Sequence, residues 1–379
     1  MHTRKYIQYI LLITFSILTY STQAQFDGTG WETEQTSQTE KILTIGHTGW
    51  VYSAHYNASG SQIVTASEDS TAKIWDAETG ELLHTLQGHT DYVYSAVYNA
   101  SGSQIVTASR DRTAKIWDAS TGELLHTLQG HNEWVELCLA GYDLDGSRVV
   151  TASEESTQIW HAVSGRLLHT FQGYTNRDVL RVFNSTGSHI VTTSYDETAK
   201  IWDVKTGNLL HTLQGHTNDV SSAQYNASGS QIVTASEDST AKIWDAETGE
   251  LLQTLQGHTD EITSAQFNHT GSQILTTSYD GLAKIWDVKT GNLLHTLQVP
   301  YGEYWSAHYN SMGNQIVTVS DEMARIWDTE TGELLQTLKG HTNVITSAIF
   351  NSEGSKLVTT SFKTVKIWDA KTGKLLHTL

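Results

Sequence analysis

Proline is almost absent from this chain of 379 residues; it occurs once, at Pro300. Turns built on proline's fixed φ are therefore excluded, and the 29 glycines must supply most of the tight backbone. Cysteine is equally scarce. The single Cys138 excludes an intramolecular disulfide. Its neighbours Val135-Glu136-Leu137-Cys138-Leu139 alternate as a strand does, which predicts a buried, inert thiol and not a nucleophile. Cations are few: 23 Lys and Arg stand against 41 Asp and Glu, for a net charge of −18. Such a surface repels phosphate backbones and anionic lipid heads, which argues against nucleic acid and favours a basic protein face as partner. Acidic charge also serves solubility alone.

The first 24 residues differ from the rest. Arg4 and Lys5 form a basic start, Tyr6 to Tyr20 is mostly apolar, and Thr22 and Ala24 are small residues two apart. This pattern predicts a secretory signal over 1–24, cut after Ala24, with an uncleaved anchor as the alternative. The apolar stretch is short against the ~20 residues of a spanning helix. Export to the periplasm or the cell exterior follows, without membrane insertion once the segment is removed. Residues 25–40 are polar and read as a flexible lead-in.

Tryptophan, by contrast, is abundant, and its placement is periodic. An Ile-Trp pair recurs with Trp at 75, 117, 160, 202, 244, 286, 327 and 368, so the spacing is 41 to 43 residues. Gly-His precedes it at Gly46-His47, Gly88-His89, Gly130-His131, Gly215-His216, Gly257-His258 and Gly340-His341. Gly173-Tyr174 and Val299-Pro300 replace it in the fourth and seventh units. Within one unit, VYSAVY (93–98), QIVTAS (104–109), TAKIWD (113–118) and LLHTL (124–128) each read as a strand between Asn/Gly or Asp/Gly turns. No segment between them is long enough for a helix. Four short antiparallel strands cannot bury both faces alone, so the units must pack against one another.

Gly-His, then Asp, then Trp-Asp, at about this repeat length, resembles the WD-repeat propeller family over residues 41–379. The resemblance implies an all-β, eight-bladed propeller of four-stranded antiparallel blades. Seven blades, or a longer array of which this is a part, are the alternatives. It also implies a protein-interaction role without a cofactor.

Several units carry Ser, His and Asp together: His47, Ser67, Asp69; His89, Ser109, Asp111; His216, Ser236, Asp238; His258, Ser278, Asp280. A hydrolase triad is the tempting reading. Yet each set recurs with a Trp at the same offset (Trp75, Trp117, Trp244, Trp286), and no strained nucleophile turn accompanies any of them. A buried indole N–H needs an acceptor, so a Trp–Ser–His–Asp hydrogen-bond chain is expected, as the family resemblance also implies. The departures predict looser blades: Glu155 for Asp in the third unit, Tyr174 for His in the fourth, the lost Gly-His of the seventh, and Lys363 in the acid's place in the eighth. His84, His126, His169, His211, His295 and His377 sit one per unit and read as edge-strand polar positions, not metal ligands. The sequons at Asn57, Asn99, Asn184, Asn226 and Asn268 are the same turn repeated, and turn chemistry explains them without any sugar.

The resemblance places a partner where the Gly-His loop meets the turn acid. The positions at the start of each innermost strand are Trp50 and Tyr52, Tyr92 and Tyr94, Trp134 and Glu136, Arg177, Asp219, Glu261, Glu303 and Trp305. Just before each turn acid, or its substitute, stand Glu68, Arg110, Glu154, Tyr195, Glu237, Tyr279, Asp321 and Phe362. These positions vary while the strands around them repeat. Exposed aromatics beside charges have the composition of an interface hot spot, although the same rings could instead pack between blades. The leading function is thus a non-enzymatic scaffold that presents an acidic, aromatic face to a protein or peptide, with a basic one the best complement. A propeller enzyme or small-ligand sensor would need convergent polar groups unique to one region; Tyr174, Arg177, Asp178 and Arg181 come nearest. A surface adhesion or structural array is the third reading. Two segments, Lys41–Ile45 and Leu375–Leu379, compete to complete the last blade.

Overall fold

The computed structural model describes two short segments near the start and residues 46–131, 139–153, 156–173, 182–299 and 306–379. Calls on the first 24 residues, on Lys41–Ile45, Trp134, Glu136, Cys138, Glu154, Glu155, Tyr174, Arg177, Asp178, Arg181, Glu303 and Trp305 lie outside the described residues. The chain divides into two compact units, Met1–Leu43 and Thr44–Leu379. In the first, Gln25–Phe26 pairs antiparallel with Trp31–Glu32. The second is the repeat array.

In the first blade the strands Val51–Tyr56, Gln62–Ser67, Thr71–Asp76 and Leu82–Gln87 pair antiparallel in chain order. Local chemistry sets each turn. Asn57 Oδ1 accepts from Ser61 N (2.9 Å) and Gln62 N (3.1 Å), closing the first turn. Asp69 Oδ1 accepts from Thr71 N and Oγ1 (3.1 and 2.6 Å), which holds Ser70 at the left-handed φ of 65°. Asp76 Oδ1 accepts from Thr79 N (2.7 Å) and fixes the third turn. A bulge between Val51 and Ser53, and another between Ile74 and Trp75, bend the sheet.

The same unit recurs, giving an eight-bladed, all-β propeller with no helix among the described residues. Blade 4 shows its strands His189–Thr193, Thr198–Asp203 and Leu209–Gln214, with an isolated bridge from Phe183 to Ile190. The apolar core lies between blades. Blade 1's Val64, Ala66, Ile74 and Leu86 pack on blade 2's Val93, Ile105 and Trp117, and equivalent clusters join each later pair. Val51, Ile63 and Trp75 meet Val358, Val365 and Ile367 of blade 8, and this contact closes the ring.

The last blade takes its outer strand from Leu375–Thr378, which pairs with Thr364–Asp369. Every described blade is thus built from consecutive strands, and the seam between blades 8 and 1 is held by packing and local bonds. Lys363 N donates to Gly49 O (3.2 Å), Thr346 Oγ1 donates to Val51 O, and Lys356 Nζ meets Glu78 Oε2 at 2.8 Å. Side chains of inner strands reach the neighbour's backbone elsewhere too, as Ser221 Oγ does to Ile262 O (2.6 Å). Such bonds satisfy edge groups that no further strand covers.

Candidate partner-binding face

One end of the ring is organised by the hydrogen-bond chains. In blade 1, His47 Nδ1 lies 2.8 Å from Asp69 Oδ2, and His47 Nε2 lies 2.7 Å from Thr65 Oγ1. Trp75 Nε1 donates to the same Thr65 oxygen at 2.9 Å. The set repeats with Thr107 between His89 and Trp117, Thr234 between His216 and Trp244, and Thr276 between His258 and Trp286. The hydroxyl in the chain is therefore threonine, and the expectation of Ser67, Ser109, Ser236 and Ser278 is corrected. Register is the reason. Ile63 pairs with Trp75, so on that face Thr65 is two residues along and Ser67 four. Four residues span roughly 13 Å, beyond an indole's reach. Ser109 Oγ instead donates to Asp91 O (3.0 Å) and accepts from Asp111 N (3.1 Å). These bonds bind the loop to the turn.

Electrostatics fixes the protonation. Burial lowers the pKa of His47, His89 and His258 against the opposing pull of their aspartates. The histidine bonds, with those of threonine and backbone, outweigh burial and hold Asp69, Asp111, Asp238 and Asp280 below the usual carboxylate range. With the acid ionised, Nδ1 carries the proton and Nε2 accepts from threonine. Thr65, Thr107, Thr234 and Thr276 are each 0% exposed and also accept from an indole, so the hydroxyl that faces each imidazole is closed off from solvent.

Blade 8 departs from its expected form. Ser361 pairs with Thr364, so Phe362 and Lys363 form a two-residue turn. Lys363 has φ 58°, the left-handed place that Ser70, Arg112 and Ser239 fill elsewhere. The residue lost is the acid itself, and Lys363 stands where the residue after it would be. His341 Nδ1 meets Thr364 Oγ1 at 3.1 Å instead.

The two sets of face positions come together. Glu68 N donates to Trp50 O (2.8 Å), Arg110 N to Tyr92 O (2.8 Å), Glu237 N to Asp219 O (3.0 Å) and Tyr279 N to Glu261 O (3.0 Å). The rings gather on blades 8, 1 and 2. Trp50 packs on Phe362 with centroids 5.1 Å apart, and Tyr52 on Tyr94 at 5.0 Å. Tyr92 stands edge-on to Tyr94 at 6.5 Å. Arg110 lies 5.4 Å over the Tyr92 ring and Lys363 4.9 Å over Phe362. Glu68 holds the Tyr92 hydroxyl, and its negative charge pushes that pKa up. Trp50, Tyr52, Tyr92 and Tyr94 are half-buried, so they pack on one another and still present surface.

Blades 4 to 6 differ. Tyr195 and Tyr279 are 55% and 51% exposed. Burial raises the pKa of Glu237, with Glu261 and Asp219 adding repulsion; burial and Asp196 do the same for Asp219. Clustered rings thus mark blades 8, 1 and 2, while crowded carboxylates beside single exposed tyrosines mark blades 4 to 6.

A model described as "WD40: WD domain, G-beta repeat" matches residues 39–76, 80–118, 122–161, 165–203, 207–245, 249–287 and 332–369. The chain belongs to the WD40 family. The matches pass over the seventh unit, which lacks Gly-His, yet a four-stranded blade forms there from Ser306–Tyr309 to Leu334–Lys339. The Lissencephaly-1 homolog of Dictyostelium discoideum is 44% identical over 48 residues, 13% of this chain and 12% of that protein. The chain thus matches only a small part of that relative's length. The crystal structure of the computationally designed Ika8 protein superposes with a TM-score of 0.73 at 26% identity, over 86% of this chain and 97% of that one.

Other repeated polar positions of this WD40 propeller have structural partners. His126 Nε2 meets Val163 O at 2.7 Å and His295 Nε2 meets Glu330 O at 2.8 Å, each latching an outer strand to the next blade. The sequon side chains Asn99, Asn184, Asn226 and Asn268 are buried, and Asn226 Nδ2 donates to Ser230 Oγ (3.3 Å) inside its turn. Among the described residues, no group of three or more His, Cys, Asp or Glu is placed to hold a metal ion.

Proposed function

We propose that this chain is an exported, non-enzymatic docking scaffold whose partner is a protein or peptide seated on the Gly-His end of the ring. WD40 propellers are typically protein-interaction scaffolds. The observation that carries the reading is the cluster of Trp50, Phe362, Tyr52, Tyr92 and Tyr94 beside Glu68 and Arg110, on an otherwise repetitive frame. Rigid rings with adjacent charges are the anchors of protein interfaces. A cationic segment of the partner would rest over Asp219, Glu237 and Glu261, where like charges already crowd. Export rests on the basic and apolar pattern of the first 24 residues.

Affinity capture from an envelope and culture extract of the source cells tests the docking role. The control chain carries lysine at Trp50, Tyr92, Trp134 and Trp305, with folding checked by circular dichroism. A protein retained by the native chain and lost with the folded control is the expected result. Retention by both, or by neither, would overturn the face and turn attention to small ligands. N-terminal sequencing of the mature protein should begin at Gln25; a start at Met1 would remove export by cleavage.

A further inference from the structure

The face is electrically two-sided, although the molecule is acidic throughout. On blades 8, 1 and 2 the cations Lys363, Arg110 and Arg112 stand beside Glu68 and Asp91. On blades 4, 5 and 6 stand Asp196, Glu197, Asp219, Glu237, Asp260 and Glu261; Lys200 is tied to Asp196, and Lys242 and Lys284, at the equivalent place in blades 5 and 6, are buried. The charges come from equivalent turns and loops of the repeat, so both sectors lie on one face. Ring order puts blade 1 opposite blade 5. The cationic sector also carries the rings, while the acidic sector exposes Tyr195 and Tyr279.

We propose that this face docks on a second copy of the chain, with the aromatic, cationic sector of each copy on the acidic sector of the other. The symmetry permits it. A two-fold axis in the plane of the face, running through blades 3 and 7, lays blade 1 of one copy over blade 5 of its mate and the reverse. Both contacts are then formed at once, and the same axis lays blade 2 over blade 4 and blade 8 over blade 6, which brings Arg110 towards Asp196 and Glu197 and Lys363 towards Glu261. The opposite orientation, blade 1 on blade 1, sets cation against cation. Complementary charge selects the first arrangement, and the rings give it apolar area to bury. The proposal rests on the reading that the Gly-His end is the docking face, and it names the occupant.

Sedimentation of the full chain across concentration, at low and at high salt, is the experiment. A dimer whose dissociation constant rises by at least about tenfold with salt is expected. Two charge-reversed chains follow: Arg110→Glu with Lys363→Glu, and Glu197→Lys with Glu261→Lys. Each alone should be a folded monomer by circular dichroism. Their mixture should restore a dimer, because each reversed sector then meets its complement. A wild-type monomer at every concentration, reversed chains that still dimerise, or a mixture that stays monomeric would each overturn the proposal. A monomeric chain that still captures a partner on this face would keep the docking role and remove the second copy. A dimer that captures nothing would do the reverse.

Discussion

A threonine hydroxyl that accepts from an indole and donates to an imidazole has committed its one proton and one of its two lone pairs. Thr107 does both, at 2.8 Å from Trp117 Nε1 and 2.7 Å from His89 Nε2, with all three side chains buried. Replacing it with valine keeps the shape and leaves two buried groups unpaired, which should cost about 3 kcal/mol. Ser109→Ala removes a hydroxyl that ties a loop carbonyl and a turn amide, and should cost only about 1 kcal/mol. Urea unfolding of the two variants decides whether threonine or serine sits in the chain; equal losses would remove the assignment. Tryptophan, histidine and aspartate were legible from their fixed offsets. The hydroxyl was not, because both Thr and Ser recur in every unit and only strand register separates them.

Histidines without an aspartate carry a pH signature. Burial lowers His131 and His341 to about 4, while the unfolded chain titrates each near the ordinary histidine value of 6.5. Between those values the unfolded state binds protons that the folded state refuses, so stability falls as pH drops through this window. The loss approaches roughly 3 kcal/mol for each histidine at its acid end. Replacing both with glutamine should lower the melting temperature at neutral pH and flatten its decline towards pH 4. A decline as steep as that of the native chain would show that other groups drive it.

At the scale of the blade, the four strands of each unit were readable from alternation and turn residues, and even the seventh blade was, from its Ile-Trp pair. Looser packing is expected of blades 3, 4, 7 and 8, and blade 4 is the one to measure first. In blade 4 the expected histidine is replaced by Tyr174, and Thr192 Oγ1 turns to Gln172 O at 3.3 Å. Trp202 still bonds Thr192 but is only half-buried, whereas Trp244 of blade 5 is 1% exposed. Fewer buried contacts lower the local opening free energy. Strand amides of Val191 and Ile201 should therefore exchange faster with deuterium than those of Val233 and Ile243, their counterparts in blade 5. Uniform protection would mean that packing between blades, and not the chain within each, sets local stability. The face was legible as a set of variable positions. That Phe362 and Lys363 join Trp50 was not, because a turn one residue shorter moved them into place.

The ring as a whole has one seam that the chain does not cross. Elsewhere, a short covalent link holds neighbouring blades at high effective concentration, so a packing defect is partly offset by proximity. At the seam, Val51 meets Val358 and Ile367 with no such link in the closed ring. Blade count follows from counting repeats, but the manner of closure does not, since two terminal segments offered the same strand. Val51, Val93 and Val220 hold the same place in blades 1, 2 and 5 and are each 0% exposed. Their replacement by alanine should open equivalent cavities and cost about 2 kcal/mol apiece. Repeat arrays lose cooperativity when an end can come away by itself. Val51→Ala alone should then lower the slope of urea unfolding, with blade 8 or blade 1 releasing first, while Val93→Ala and Val220→Ala shift the midpoint at unchanged slope. Identical slopes in all three would show that the seam is as strong as any interface inside the chain, and that closure needs no interlocked strand to be cooperative.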